Sequence, residues 1–319
     1  MEARCGSRAP SPLRRRHLGL TQAPKVSTAR ARRFADRLIT WGAAHQRDLP
    51  WRHTREPWLI LVSEVMLQQT QVDRVLPHFA RFSEAFPDPA ACAAAGPADV
   101  VRLWSGLGYN RRARNLHRSA VMVVADHDGS LPHDQAQLRA LPGVGAYTAR
   151  AVCSLAFGDD VAAVDTNAVR VLSRCVSGTP LTLGAATALG DRLVPPGRSW
   201  EFNQSMFDLG ATVCTARRPD CAACPLRRQC AWRTTPDQDD PWSAGLGARR
   251  QSAFAGSDRQ GRGRLLQALC HGPVRRQSVP DSCGWADDET RAYRVADALV
   301  AEGFASWSGP SGRTSLRLR

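Results

Sequence analysis

Four cysteines crowd into ATVCTARRPDCAACPLRRQCAWR, residues 211–233: Cys214, Cys221, Cys224 and Cys230, with six, two and five residues between them. Thiols at that density can hold a structural zinc or a 4Fe-4S cluster, and the gap between Cys221 and Cys224 suits either. Arg217, Arg218, Arg227 and Arg228 stand among and beside them and make the loop basic. Two carboxyls suggest a second chemistry. Glu64 lies in EPWLILVSEVMLQQTQV, residues 56–72, where Leu59, Ile60, Leu61, Val62, Val65, Met66 and Leu67 wrap a helix in apolar side chains. Glu64, Gln68 and Gln71 recur there at i, i+4 and i+7 as a polar seam. The seam is either a solvated face or the wall of a cleft, and in a cleft desolvation raises the Glu64 pKa and makes it a general acid. Asp165 precedes a helical pattern in AAVDTNAVRVLSRC. As a helix cap its carboxylate is expected to stay ionised through backbone N–H bonds and the helix dipole, and a fixed anion beside a cleft suits a developing sugar cation.

The elements that must position these groups are helical almost throughout. LPGVGAYTARAV, residues 141–152, is a tight turn into a helix, in which Gly143 and Gly145 allow close backbone approach and free N–H groups face outward. Such a turn is either a plain connection or a grip on phosphate. In LGYNRRARNLHRSAVMVVADH, Arg111, Arg114 and Arg118 share one helix face while Leu116, Ala120, Val123 and Val124 occupy the other, so the basic face is solvated or meets phosphate. A further helix begins at Ser27 with Phe34, Leu38 and Trp41 on one side. The class is all-α up to the cysteines. The chain divides into a basic arm over 1–26, a helical domain over 27–233, a Pro, Gly and Asp-rich linker over 234–256, and a small domain over 257–319. That last piece reads as two helices followed by a hairpin, which is winged-helix-like.

Bulk composition limits the partners. The net charge is +14 over 319 residues, of which residues 1–33 contribute +8 and residues 34–230 only +3, so nucleic-acid binding rests on local arginines. No run of apolar residues is long enough to span a bilayer and no secretory leader opens the chain, so an intracellular protein is expected. Disulfides are then disfavoured and clustered thiols lean towards metal or redox chemistry. Arginine outnumbers lysine 42 to 1, and Lys25 is the single lysine.

In this order, LPWR, SEVMLQQTQV, LWSGLGYNRRARNLH, LPGVGAYTA, VDTNAVRVLSR, FNQSMFDLG and the cysteine loop resemble the helix-hairpin-helix DNA glycosylases with an iron-sulfur loop, most closely the MutY-type adenine glycosylases. The resemblance runs from about Ser27 to Arg233. It implies that Cys214, Cys221, Cys224 and Cys230 ligate one 4Fe-4S cluster and order a basic loop that docks on DNA. Glu64 then protonates adenine N7, Asp165 stabilises the oxocarbenium sugar, and Tyr147 and Asn167 orient the pair. Trp51, Arg52, Leu67 and Gln204 surround the flipped adenine, and Gln68, Gln69 and Thr70 enter the base stack. Gly143 and Gly145 form the phosphate-binding hairpin. The implied partner is double-stranded DNA with an adenine mispair, met by a monomer in the bacterial cytoplasm, at the nucleoid.

Three positions depart from the family pattern. Asn110 replaces a second tyrosine after Gly-Tyr, Thr166 replaces the glycine of Asp-Gly-Asn, and the residues after Ala231 are too few and too helical for the family's Nudix-like C-terminal domain. Two rivals share the scaffold. An endonuclease III-like lyase needs an amine where Tyr147 stands, and a thymine or uracil mismatch glycosylase has no purine N7 for Glu64 to protonate.

Overall fold

Ser27 caps the first helix as its position in the sequence suggests. Its hydroxyl accepts from the Arg30 N–H, and α1 (Thr28–His45) buries Phe34, Leu38 and Ile39 while Trp41 stacks on His45 nearer the surface. The computed structural model describes residues 24–235, 240–242, 253–309 and 314–319. Most of the arm expected over 1–26, and much of the expected linker, thus lies outside the described residues.

Pro57 opens α2 (Pro57–Leu67), in which Trp58, Ile60, Leu61, Val62, Val65 and Met66 are buried together with Ser63 and Glu64. A helix apolar on every side has to be central. Around it pack α3 (Val72–Ala85), α6 (Arg111–Asp126) and α8 (Ala146–Val152), with α4 (Pro89–Ala94), α5 (Pro97–Trp104) and α7 (Gln135–Ala140) outside them. A second core forms where α1 meets α9 (Thr166–Leu172), α10 (Leu183–Asp191) and α11 (Ser199–Asp208), with Phe34, Leu38, Leu172 and Phe202 at its centre. The cysteine loop and α12 (Ala231–Thr234) join this second core. Glu64 thus belongs to one core and Asp165, at the head of α9, to the other.

The polar seam on α2 is shorter than the sequence suggests. The helix ends at Leu67, Gln69 takes the left-handed conformation at φ 55°, and Gln71 becomes the residue ahead of α3. Gln71 therefore shares no face with Glu64.

The C-terminal part runs α13 (Asp258–His271), β1 (Val274–Arg275), α14 (Val279–Cys283), α15 (Glu289–Ala301), β2 (Ala305–Ser308) and β3 (Ser315–Leu318). β3 lies between β1 and β2, antiparallel to both, with Leu316 opposite Val274 on one side and Trp307 on the other. This is the winged-helix order, one helix and one strand richer than the sequence pattern; a two-residue strand and a five-residue helix are too short to leave a period. Gly261 is required on α13, because a Cβ there would meet the Trp285 ring at 2.2 Å. Glu302, just past α15, takes Arg262 in a bidentate pair and accepts from Arg111 on α6 at 2.8 Å, tying the two parts together. Among the described residues no helix is long and apolar enough to cross a membrane.

Candidate active site and cysteine cage

Glu64 is 6% exposed in the middle of α2. Burial pushes its carboxyl up to about 7, the nearby Asp165 charge adds to the rise, and a hydrogen bond from the Tyr147 hydroxyl opposes it. Tyr147 stands one residue into α8, directly after the Leu-Pro-Gly-Val-Gly turn, and its ring packs edge-on against Phe207 at 6.5 Å. Its hydroxyl is held well above the usual phenol range by burial and by the two carboxyls, so it remains a donor. Asp165 caps α9: one oxygen accepts from the Ala168 N–H at 2.7 Å and the other from Asn167 Nδ2 at 2.8 Å. The cap contacts expected to favour the ionised form are present and act in that direction. Burial outweighs the Ala168, Asn167 and Arg170 contributions, and the Asp165 pKa lies above its ordinary value. The pair, its tyrosine and its asparagine thus meet at the seam between the two cores.

Gln68, Gln69 and Thr70 follow the end of α2, and what shapes them is Arg112, which the sequence reading passed over. Its Nη1 donates to the carbonyls of Val65, Met66 and Gln68 at 2.8, 2.8 and 2.6 Å, and Nη2 to Thr70 Oγ1 at 3.0 Å and Gly108 O at 3.1 Å. A cation satisfies the last carbonyls of a helix. Burial lowers the guanidinium to about 10, still charged at neutral pH. Gln68 Nε2 also reaches Thr148 Oγ1 at 3.3 Å, fixing the segment to α8. Gln69 and Tyr109, both left-handed, line a groove of about 1090 Å³ with Arg74, Arg111, Arg112 and, from α13, Arg259 and Arg264.

Other expected site residues divide. Leu67 is half-buried at the end of α2, Trp51 is buried with its ring edge-on to Phe79 at 5.4 Å, and Gln204 is buried on α11. Gly143 sits at φ 82° against Asn115, so any side chain there would be strained and crowded, whereas Gly145 is open and heads α8. Arg52 is buried in an ion pair. Its two Nη atoms grip Asp208 at 2.7 and 2.9 Å in a buried pair that Arg47 joins. Although burial opposes it, the two arginines hold Asp208 below its usual range. Arg111 and Arg114 do not share a free basic face: Arg111 pairs with Glu302, and Arg114 lies over the Phe304 ring at 5.1 Å, leaving Arg118 exposed. On the opposite side of α6, Leu116, Ala120 and Val123 are buried but Val124 is exposed. Asn203 is a second residue the sequence did not reveal. Buried on α11, it binds the Ala163 N–H at 2.9 Å and fixes the strand of chain that delivers Asp165.

The four loop thiols line one cavity, joined there by Cys175 from the turn Ser173–Ser177 that prolongs α9. The neighbouring Cys175 side chain, joined for Cys214 by Arg174, holds Cys214, Cys224 and Cys230 below the ordinary thiol range, which favours the thiolate that metals bind. Among the described residues no three His, Cys, Asp or Glu groups are disposed to hold a single metal ion. An all-sulfur donor set framed by guanidinium groups is one that either a structural zinc or an iron-sulfur cluster takes. Arg174 is buried and donates to Thr215 O at 2.7 Å, to Ala216 O at 3.0 Å and to Cys214 Sγ at 3.6 Å, while pairing with Asp240. Asp240 falls in the stretch expected to be linker, so part of that stretch is fastened to this cage. Arg170 donates to Cys214 O and Gly210 O, both at 2.7 Å, and to Asn167 Oδ1 at 2.9 Å, linking the cage to Asp165 through Asn167. Two arginines four residues apart in the apolar run AVRVLSRC were the available sequence signal, since buried cations need partners.

Comparison with known proteins agrees with this geometry. The family model of the HhH-GPD superfamily base excision DNA repair protein matches residues 62–183, which hold Glu64, Tyr147 and Asp165. The adenine DNA glycosylase of Mycolicibacterium smegmatis is 42% identical over 285 residues, 88% of this chain and 94% of that one. A solved thermostable thymine-DNA glycosylase superposes with a TM-score of 0.61 at 32% identity, over 64% of this chain and 96% of its own. Endonuclease III, trapped covalently on DNA, shares the fold with a TM-score of 0.57 at 24% identity, over 66% of this chain and 98% of its own. With near-complete coverage of that mycobacterial relative, the chain belongs to the adenine DNA glycosylases of the HhH-GPD superfamily.

Proposed function

We propose that the protein removes adenine mispaired with 8-oxoguanine or guanine from double-stranded DNA, hydrolysing the N-glycosidic bond without cutting the strand. The observation that supports this most is the pairing of a buried Glu64, protonated up to about pH 7 and bonded by Tyr147, with a capped Asp165 across the seam. An everted adenine costs a few kcal/mol, roughly, to unstack. Glu64 gives its proton to N7 and turns adenine into a neutral leaving group, while Asp165 faces the cation that forms on the sugar, with Asn167 holding its outer oxygen. Gln69 and Thr70, shaped by Arg112, are positioned to enter the gap left in the stack. The arginine-lined groove beside them suits the phosphates of the duplex. The reading includes a monomer acting at the nucleoid in the cytoplasm.

Cys214, Cys221, Cys224 and Cys230 would hold one 4Fe-4S cluster. When bound, it would supply a rigid, redox-active crosslink for the loop 211–233. Arg174 and Arg170 fix that loop to α9 through its backbone carbonyls.

A lyase on the same scaffold is disfavoured because Tyr147 occupies the place of the amine and Lys25, the one lysine, is exposed on α1's approach. Single-turnover excision tests both points, using adenine opposite 8-oxoguanine, guanine, cytosine or thymine, with uracil and thymine mispairs alongside. Release of adenine opposite 8-oxoguanine and guanine, with no borohydride-trapped adduct, is expected. Preferential release of uracil or thymine, or abundant trapping, would replace the proposal with one of its rivals.

A further inference from the structure

Asp165 is delivered by a short segment, residues 161–164, that pairs with no strand among the described residues, although Ala162, Ala163 and Val164 are all buried. Buried backbone N–H and C=O groups need partners, and here side chains from three helices supply them. Ala162 O accepts from Arg150 Nε on α8 at 2.8 Å, and the Ala162 N–H donates to Oδ1 of Asp191, the last residue of α10, at 2.9 Å. Arg150 Nη2 in turn pairs with Asp191. Asn203 on α11 takes the flanking groups: its Oδ1 accepts from the Ala163 N–H at 2.9 Å and its Nδ2 donates to Val161 O at 2.9 Å. Gly190 lets α10 come this close, because a Cβ there would meet Ala162 Cβ at 2.7 Å and Val164 Cγ2 at 3.2 Å.

These bonds start from the helix that packs on the one carrying Glu64. α8 lies against α2, with Gln68 Nε2 reaching Thr148 Oγ1 at 3.3 Å, and Arg150 follows Tyr147 by three residues on α8. In the turn Cys153–Phe157 that prolongs α8, Ser154 Oγ accepts from the same Asn203 Nδ2 at 2.7 Å. Residues four apart share a helical face, so α8 holds Ala162 directly through Arg150 and Ala163 through Ser154 and Asn203. α8 belongs to the core of Glu64, whereas Ala162 and Val164 belong to that of Asp165, so the contacts span the seam that the two carboxyls face. Rates fall steeply when a reacting group is displaced by about 1 Å.

Resting on the reading of Asp165 as the anion that faces the sugar cation, we propose that Arg150, Asp191 and Asn203 are positioning residues, a clamp that sets where Asp165 stands relative to Glu64. The test uses the full chain in single-turnover excision of adenine opposite guanine, with affinity for the same duplex measured in parallel. Arg150→Met leaves Ala162 O without its donor and should slow excision by on the order of 100-fold at unchanged affinity. Asp191→Ala, read in its place should Arg150→Met not fold, should slow excision likewise, and Asp191→Asn, which keeps an acceptor for the Ala162 N–H, should recover most of that loss. Combined with Asp165→Asn, either clamp variant should add little to the loss from Asp165→Asn alone, since the group being positioned is already gone. Wild-type rates in Arg150→Met and Asp191→Ala would overturn the proposal. So would an Asp191→Asn variant no faster than Asp191→Ala, or losses that multiply in the combined variant, the mark of a general structural defect. Wild-type protein that releases no adenine, or Asp165→Asn as fast as wild type, would instead sink the reading beneath the proposal, a failure visible before any clamp variant is made.

Discussion

Glu64 and Asp165 face one another from different cores, and they differ in how many partners each finds. Glu64 sits inside a helix whose backbone N–H groups are already used, so Tyr147 alone opposes the effect of burial. Asp165 heads a helix, where the Ala168 N–H is free to bind it, and Asn167 and Arg170 add to that. Burial raises both, Glu64 to about 7, while at Asp165 the Ala168, Asn167 and Arg170 contacts oppose the rise. The lesson is that place within a helix, interior against cap, separates an acid from an anion more surely than burial does.

The contrast breaks most visibly when either side is neutralised. Glu64→Gln should slow single-turnover adenine excision by about 100- to 10,000-fold while DNA binding persists. Asp165→Asn should lose about 100- to 1,000-fold, the range for removal of one electrostatic stabiliser. Equal activity in either variant would take that residue out of the chemistry. Stability should move the other way. Folded Glu64 holds its proton to about 7 while the unfolded chain releases it near the ordinary 4.5, so the unfolded state binds fewer protons between those values. Stability conferred by the neutral carboxyl is complete below about 4.5 and falls as pH rises through about 7, by on the order of 3 kcal/mol. Glu64→Gln should therefore melt higher than wild type at pH 8 and show little difference at pH 4.5 by calorimetry.

Smaller changes sharpen the same contrast. Arg112→Met leaves the carbonyls at the end of α2 without their donor and should cost about 1 to 3 kcal/mol, with faster hydrogen exchange across residues 67–71. Tyr147→Phe keeps the ring packing but removes the bond that lowers the Glu64 pKa. Excision should then persist to higher pH, with a rate change at the optimum smaller than that of Glu64→Gln.

Much of the site was legible because its signals are local. Glu64 in an apolar helix, Asp165 ahead of a helical pattern, the Pro-Gly-Val-Gly turn and the cysteine spacing all lie within a few residues of their evidence. What the sequence hid is long-range. Arg112 reaches back more than forty positions to Val65, Met66 and Gln68, and Asn203 braces Ala163 across forty. Arg52 reads like any exposed arginine after LPW until Asp208 is found beside it. The end of α2 is hidden for a related reason. The Gln run continues the helical period, and only Arg112 with the left-handed Gln69 halts it. In the C-terminal part, β1 and α14 were too short to show a period, although their neighbours were recognised.

The pH dependence of kcat/KM for adenine excision tests the division of roles most directly, since it reports the ionisation of the free enzyme. The rate should fall on the alkaline side with a midpoint near 7, the fall should move upward in Tyr147→Phe, and it should vanish from the residual activity of Glu64→Gln. A wild-type profile flat from pH 5.5 to 9, or an alkaline fall that survives in Glu64→Gln, would contradict a proton supplied by Glu64.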